Sequence, residues 1–435
     1  MNTVRVGLMM ALALIASTFS ASAQADETPK IKIVNAAHLI DVEKGTVLDN
    51  MSVWIENDKI TKVVSQNAKI AAPEGAEVVD LGPDSYLMPG LMDSHVHLVG
   101  SPIWGYDAYQ HSTARQLVYG VANAKITLEA GFTTVRNVGA PGFTDVALRD
   151  AINAGDVPGP RMLVSGPSLG ITGGHCDNNM LPFEYGEESE GVADGPWEVR
   201  QKVRRNMKYG VDVIKFCGTG GVFSKGTRVG AQQYTLEEMK AIVDEAHMAG
   251  RKVAVHAHGT EGIKSAILAG ADSIEHVSYL DDEGIKLAKK HGTWFSMDIY
   301  NDDFILQEGA KHGMTEESLA KERAVGLRQR QSFQKAVKAG VKLSYGTDAG
   351  VYPHGGNGKQ MVKMVEWGMT PMQAVITATR ETSKLFGIED RVGIVKEGHL
   401  ADMIAIKGNP LEDLTLFEKV GFVMKEGKVY KNTLQ

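Results

Sequence analysis

The chain has 435 residues, of which 43% are hydrophobic and 23% are charged, the balance of an ordinary globular protein. Its formal net charge of −7 gives no electrostatic case for a nucleic-acid partner. Two cysteines, Cys176 and Cys217, are too few for a disulfide-built fold. They either form one bond or are two small buried apolar residues.

The first 25 residues have the pattern of a secretory signal peptide. Arg5 precedes an apolar run at residues 6–19, and small residues follow at Ala21, Ala23 and Ala25. This run has 14 residues, whereas a membrane span needs about 20. We therefore predict that residues 1–25 are a signal peptide, cleaved after Ala23 or Ala25. The mature protein would be periplasmic or secreted, with no membrane segment after cleavage.

Both ends of the mature chain are rich in short strand patterns. Residues 30–88 contain KIKIVNA, SVWIEND, KITKVV and AEVVDLG, and the pattern returns after residue 392 in ADMIAIKG and VGFVMKEGKVY. Pro89 and Gly90 end the first group. We predict one small β-sandwich domain, formed by residues 26–88 together with residues 393–435.

Residues 89–392 alternate strand patterns with helical ones. The eight apolar strand patterns are LMDSHVHL, FTTVRNV, RMLVSGPSL, VDVIKFC, KVAVHAHG, DSIEHVS, TWFSMDI and KLSYGTD. Nearly continuous apolar strands, each followed by a helix, are typical of a parallel barrel. The predicted fold class is therefore α/β, with a (β/α)8 TIM-like barrel over residues 89–392.

Two predicted helices have clear end signals. Thr235 and Glu238 form a capping box, and Gly250 ends the helix that follows them. Pro371 begins another helix and Gly387 ends it.

Polar residues interrupt the apolar strands near their C-terminal ends, where such barrels place their chemistry. Alternation along a strand would point His95 and His97 to the same side. Later strands add five more polar residues: Lys215, His256, His258, His276 and Asp348. Each alone could be a core histidine, a snorkelling lysine or a turn aspartate. On one common rim they predict a metal site, because imidazole and carboxylate are ligands of zinc and similar ions.

Lys215 is the unusual member of this set, because cations repel an ammonium. Carboxylated by carbon dioxide, it would become an anionic carbamate whose two oxygens could bridge metals about 3.5 to 4 Å apart. Asp348, in contact with metal and water, could accept the water's proton and pass it to a leaving amine.

Together these residues resemble the amidohydrolase superfamily over essentially the whole mature chain. The resemblance is carried by His-x-His after PGLMDS, the lysine of strand four, the histidines of strands five and six, and GTDAG on strand eight. VHAHG, AILAGADSIEHVSYL, LSYGTDAG and GHLADMIAIKGNPLED are similar to one branch of that family. That branch holds imidazolonepropionase-like proteins, metal-dependent Xaa-Pro and Xaa-Arg dipeptidases, and ochratoxin-degrading amidases.

The resemblance implies two divalent metal ions per chain, with zinc as the expected ion. The implied ligands are His95, His97 and Asp348 for the buried ion, and His256 and His276 for the second, with carboxylated Lys215 as the bridge. Imidazolonepropionase itself lacks the bridging lysine and uses one metal. Lys215 therefore favours the two-metal peptidases.

The resemblance also suggests substrate contacts. His175, in TGGHCDNN after strand three, would polarise the scissile carbonyl or bind substrate, and Tyr279 would contact a terminal carboxylate. Arg228 and His354 follow barrel strands and could bind that carboxylate or the side chain beyond it. His258 has no ligand role in the family pattern and would support a ligand or face the substrate.

The predicted reaction is hydrolysis of an amide bond, with hydroxide bridging two metals as nucleophile and Asp348 and His175 as catalytic residues. Substrates would be dipeptides, N-acyl amino acids or ochratoxin-like amides with a free C-terminal carboxylate, and a homo-oligomer is expected from relatives. Two alternatives are a hydrolase that opens cyclic amides, lactones or imidazolones, and a non-catalytic metal-binding barrel. A nucleophilic Cys176, where relatives usually have glycine, is conceivable, but metal hydroxide would make it redundant.

Overall fold

The computed structural model describes residues 30–100 and 103–434. The predicted signal peptide lies outside the described residues. The strands are β1 Ile31–Asp41, β2 Thr46–Glu56, β3 Lys59–Ser65, β4 Glu77–Asp80, β5 Ser85–Pro89, β6 Leu91–Val96, β7 Phe132–Asn137, β8 Arg161–Val164, β9 Val213–Cys217, β10 Lys252–Ala257, β11 Ser273–His276, β12 Trp294–Ser296, β13 Leu343–Ser344, β14 Met403–Lys407, β15 Phe422–Lys425 and β16 Lys428–Asn432. The helices are α1 Thr113–Glu129, α2 Thr144–Ala154, α3 Gly195–Lys208, α4 Leu236–Met248, α5 Thr260–Ala269, α6 Asp282–His291, α7 Asn301–Glu308, α8 Glu316–Ala339, α9 Lys359–Glu366, α10 Pro371–Ile376 and α11 Thr382–Phe386.

The two ends of the chain form one β unit, as the strand patterns predict. Its mixed sheet has the order β16-β15-β14-β5-β1-β2-β3, and β4 pairs with β1. The antiparallel pairing of β5 with β14 joins the two ends of the chain. Val53 and Ile55 on β2 share one buried core with Phe422 and Met424 on β15. The sheet therefore curls around a core of its own.

The middle of the chain forms the predicted set of eight parallel strands. β6 to β8 make a three-stranded sheet and β9 to β13 a five-stranded one. Isolated parallel bridges, Leu169 with Phe216 and Val96 with Ala349, connect the two sheets at both of their seams. Every residue of β6, β7 and β9 is buried, which explains why these strands read as nearly continuous apolar runs.

The helix end signals are confirmed. Thr235 and Glu238 form the capping box of α4. The helical segment that begins at Pro371 ends before the left-handed Gly387, but a π turn at Thr377–Glu381 divides it into α10 and α11. The Thr382 hydroxyl that follows this turn donates to Thr377 O and accepts from Tyr345 N at the end of β13.

Ion pairs and a lysine hydrogen bond connect the barrel strands to the β unit. Arg161 on β8 donates to Asp402 at 2.7 Å and to Glu426 at 2.6 Å. Lys425 donates to Gly159 O at 2.9 Å. No helix in residues 30–100 or 103–434 has the length and apolar character that crossing a membrane requires.

Candidate metal centre and active site

The C-terminal ends of the barrel strands surround a cavity of about 260 Å³. Eight residues singled out from the sequence line it: His95, His97, His175, Lys215, His256, His258, His276 and Asp348. They lie on β6, β9, β10 and β11 or directly after β6 and β10, in the loop after β8 and in the segment after β13. The structure therefore brings together side chains that are up to about 250 positions apart in the sequence.

Two of the histidines are oriented by buried carboxylates. His95 Nδ1 lies 3.0 Å from Glu275 Oε2, and His276 Nδ1 lies 2.8 Å from Asp298 Oδ1. With Nδ1–H donating to a carboxylate, the Nε2 lone pair of each ring is free for another partner. This is the arrangement that metal-ligating histidines have in proteins.

Two further histidines are oriented by hydroxyls. His258 Nδ1 lies 2.7 Å from Ser278 Oγ, and His175 Nδ1 lies 2.9 Å from Ser224 Oγ. The His175 ring stacks on the His256 ring, with centroids 4.1 Å apart. The loop histidine after β8 thus lies directly beside a strand-end histidine.

Unsatisfied buried atoms test whether these residues fit a metal ion. His256 Nε2 and Asp348 Oδ1 are buried without a hydrogen-bond partner among the described residues. Asp348 Oδ1 lies 3.3 Å from His95 Nε2 and 3.2 Å from His97 Nε2. Buried polar atoms are normally paired. A divalent cation would satisfy these nitrogen and oxygen atoms, so the residues fit such an ion.

The ligand atoms fall into two overlapping groups. Those of His95, His276 and Asp348 lie within 4.8 Å of one another, as do those of His256, His258 and His276. His276 belongs to both groups. His258 is therefore placed among potential ligand atoms, although the resemblance gave it no ligand role.

Three site residues have a left-handed backbone, which is uncommon outside glycine. The φ angles are 72° at His276, 54° at Val277 and 55° at Asp348. For a β-branched residue such as Val277 this conformation is costly. Strain of this kind persists where the surrounding fold imposes it, and it concentrates at functional sites.

Burial keeps most of the imidazoles neutral, which is the form that binds metal. It lowers the pKa of His95 to about 4 and that of His175 to about 3. It also lowers the pKa of His256 and His258 well below the ordinary value. Burial opposes protonation of His276 too, but Asp298 raises the pKa of that ring above its ordinary value.

The two other predicted ligands also differ from their solvent-exposed forms. Burial would raise the pKa of Asp348, but the rings of His95, His97 and His276 lower it, so the carboxylate is ionised. Burial lowers the pKa of the Lys215 ammonium. The described residues offer Lys215 Nζ no hydrogen bond or ion pair. The unprotonated amine that burial favours is the reactive form of lysine.

Cys176 and Cys217 form a disulfide, with their Cα atoms 5.8 Å apart. The bond decides between the two readings left open by the sequence, and no free cysteine remains in the described chain. Because Cys176 is bonded, it is not available as a nucleophile. The bond links the loop that carries His175 to the end of β9, two residues after Lys215.

The other predicted substrate contacts lie outside the cavity lining. The Arg228 side chain is exposed, and Tyr279 is half-buried against Gly230. His354 is held by His97 O at 3.0 Å and Thr127 Oγ1 at 3.3 Å.

The structure adds residues that the sequence reasoning missed. Glu275 and Asp298 orient His95 and His276, and Asn301, Glu322 and Gln329 line the cavity. Asp298 ends the apolar run TWFSM in the way that the predicted ligands end theirs, so its position was a usable signal. The last three belong to helices α7 and α8, and no strand pattern marks them.

Comparison with known proteins matches residues 86–430 to the amidohydrolase family. The ochratoxinase of Aspergillus niger is 34% identical, over 99% of this chain and 91% of the relative. Its crystal structure gives a TM-score of 0.81 over 93% of this chain and 96% of that one. The crystal structure of a Xaa-Pro dipeptidase with bound methionine is 38% identical, with a TM-score of 0.86 over 93% of this chain and all of that one. Imidazolonepropionase of Shewanella loihica is 22% identical over 74% of this chain and 78% of its own length.

Proposed function

Because the chain belongs to the amidohydrolase family and is a hydrolase acting on amide bonds, we propose that it cleaves amides whose amine part carries a free carboxylate. Dipeptides, N-acyl amino acids and ochratoxin-like amides are the substrates that its relatives suggest. The observation that carries this proposal is the single cavity in which imidazoles, a carboxylate and an unpaired buried lysine converge.

Two divalent ions, zinc by expectation, would be held by His95, His97 and Asp348 on one side and by His256 and His276 on the other. Lys215, carboxylated, would bridge them. When bound, such ions lower the pKa of water to about 7 and polarise a carbonyl oxygen. Support for the bridge comes from the unpaired, buried Lys215, whose lowered pKa favours the amine that reacts with carbon dioxide.

Asp348 would move the proton in this reaction. Its carboxylate is ionised and one oxygen is unsatisfied, so it can accept a proton from the attacking water. Asn301 Nδ2 contacts the other oxygen at 3.3 Å and so limits rotation of the carboxylate. The same proton can then pass to the leaving amine.

His175 would polarise the scissile carbonyl. In the tautomer in which the Ser224 hydroxyl donates to Nδ1, His175 Nε2 carries the proton. The lowered pKa keeps this ring neutral, so it acts as a hydrogen-bond donor and not as a second cation in the cavity.

Tyr279 and Arg228 remain proposed contacts for the distal part of the substrate, since both follow barrel strands. His354 has a different proposed role. Its bonds to His97 O and Thr127 suggest that it supports the strand end that carries His97.

Export and self-association are also proposals. A disulfide beside the active site suits an oxidising compartment outside the cytoplasm, which supports the proposed signal peptide and a periplasmic or secreted enzyme. We retain a homo-oligomer as an expectation.

The test is a hydrolysis screen of metal-loaded protein against dipeptides, N-acyl amino acids and cyclic amides, with Lys215→Ala and Asp348→Asn as variants. We expect wild-type activity on the acyclic substrates and at least a hundredfold loss of kcat in each variant. Full activity in both variants would contradict the mechanism. Activity confined to cyclic substrates would favour the ring-opening alternative, and none at full metal loading would favour a non-catalytic barrel.

A further inference from the structure

One wall of the metal cavity carries a carboxyl group and an amide oxygen that have no hydrogen-bond partner among the described residues. Glu322 on α8 and Asn301 at the start of α7 both line this cavity, and each is only 4% exposed. We propose that Glu322 and Asn301 form a subsite for a positively charged group of the substrate. The inference rests on the proposed amide hydrolysis and specifies which amides are preferred.

The orientation of the Asn301 amide is fixed by its neighbours. Nδ2 lies 2.7 Å from Asp298 Oδ2 and 3.3 Å from Asp348 Oδ2. Ionised carboxylates only accept hydrogen bonds, so the nitrogen must face them. Oδ1 is thereby left buried without a donor. An unsatisfied buried acceptor is destabilising, and a donor on a ligand would satisfy it.

Glu322 is a buried carboxyl that lacks a cationic partner. Among the described residues it has no hydrogen bond and no ion pair. The nearby Arg330 is already paired with two other carboxylates, since it lies 3.2 Å from Asp302 and 2.9 Å from Asp303. An isolated carboxylate is expensive to bury, so an ionised Glu322 requires a cation from outside the protein.

The adjacent lysine does not meet this need. Lys321 Nζ lies 2.6 Å from Ser224 O and 2.8 Å from Glu317.

Burial, with Asp302 and Asp298 nearby, raises the pKa of Glu322 to about 8. A cation placed beside the carboxyl would restore its ionised form.

Both groups favour an ammonium or a guanidinium as the ligand. Such a group donates several hydrogen bonds and carries the positive charge that would balance an ionised Glu322. Two parts of an amide substrate could supply it: the α-ammonium of an unblocked dipeptide, or a basic side chain. Either source makes the enzyme prefer cationic amides over neutral ones of the same shape.

The test uses matched substrates with the metal-loaded full chain. Ala-Phe and propionyl-Phe differ only by the α-ammonium, and propionyl-Lys and propionyl-norleucine differ only by a side-chain ammonium. We expect wild-type protein to prefer the charged member of one pair by at least tenfold in kcat/KM. Glu322→Gln should reduce that preference at least tenfold. The pair that responds identifies the source of the cation.

Glu316→Gln is the matched control, because it removes an exposed carboxylate from the same helix, where Glu316 pairs with Arg323. It should leave both preferences at their wild-type values. A wild-type preference below tenfold in both pairs, or a preference that Glu322→Gln leaves unchanged, overturns the inference.

A binding readout separates this inference from the proposed function. Should the wild-type protein hydrolyse none of the four compounds, the screen described above decides the hydrolytic proposal, and the shift of the unfolding midpoint by each compound decides the subsite. A larger shift with a charged member, lost in Glu322→Gln, supports the subsite. Equal shifts within both pairs rule it out.

Discussion

At the scale of single residues, buried polar groups fix the rings of the candidate metal ligands. His276 combines a left-handed backbone with a ring whose Nδ1 is held by Asp298. Asp298 in turn accepts from Gln329 Nε2 at 2.8 Å. These contacts fix the direction in which His276 Nε2 points. His276 is the residue that the two groups of potential ligand atoms share.

Asp298→Asn should weaken metal binding tenfold to a hundredfold, because it removes the anionic partner that orients His276 and raises its basicity. Metal affinity measured by competition with a chelator checks this. Asp272→Asn is the control, since Asp272 makes a similar contact to His247 Nε2 at 2.8 Å, far from the cavity lining. Equal effects of the two substitutions would contradict the assigned role.

Glu322→Gln should also change how stability depends on pH. The folded pKa of about 8 lies above the ordinary value of 4.5. The stabilising contribution of the protonated carboxyl is therefore complete below about pH 4.5 and is lost as pH rises through about 8. We expect the unfolding midpoint of the variant to rise relative to that of the wild type between pH 5 and pH 8, at constant metal content. The gain corresponds to a few kcal/mol at most, and a difference that stays constant with pH would show that Glu322 is not buried in this way.

At the scale of elements, the structure explains which predictions the sequence could support. Barrel strands are buried on both faces, so each appears as an apolar run, and a polar residue at its end stands out. Lys215, His256 and Asp348 were found in this way. Asn301 and Glu322 are polar residues on helices, where such residues are common, and only the tertiary fold turns them toward the cavity.

Loop residues were predictable only in part. His175 lines the cavity, where a disulfide and a hydrogen bond from its backbone N to Gln233 hold its loop. Arg228 and Tyr279 follow strands in the same way, yet their side chains do not line the cavity. Spacing after a strand limits where a loop begins, but it does not determine where a side chain in that loop points.

The disulfide should contribute both stability and placement of His175. It closes a segment of 41 residues, for which chain entropy gives about 4 kcal/mol. The double variant Cys176→Ser with Cys217→Ser should therefore have a lower unfolding midpoint and a lower kcat. A reductant that does not bind metal should impair wild type in the same direction and leave the double variant unchanged. Unaltered kcat after complete reduction would show that the bond does not position His175.

At the scale of the whole molecule, the two ends of the chain pair in one sheet that is connected to the barrel strands. β5 leads almost directly into β6, while β14 returns to pair with β5. The strand that carries His95 and leads into His97 is thereby joined to the β unit. Arg161, with Asp402 and Glu426, forms a second connection on β8.

Arg161→Ala should destabilise the protein by about 3–5 kcal/mol, because it leaves the buried Asp402 without its cation. Chemical denaturation monitored by tryptophan fluorescence would measure this. Arg205→Ala provides the comparison, since Arg205 pairs with Glu190 at a partly exposed site. Its loss should cost at most about 1 kcal/mol. Similar losses in both variants would mean that the Arg161 pairs do not connect the two units.

The most direct test of two-metal hydrolysis is a metal titration of the mature protein after a chelator has removed its metal. The measured quantity is the rate of amino-acid release from a dipeptide or N-acyl amino acid. We expect no release without metal and a rate that rises until two equivalents are bound per chain. In Lys215→Ala, the second equivalent should bind weakly and the rate should stay low. A wild-type rate that is zero with two equivalents bound, or that is complete with one, would contradict the two-metal amidohydrolase proposed for this chain.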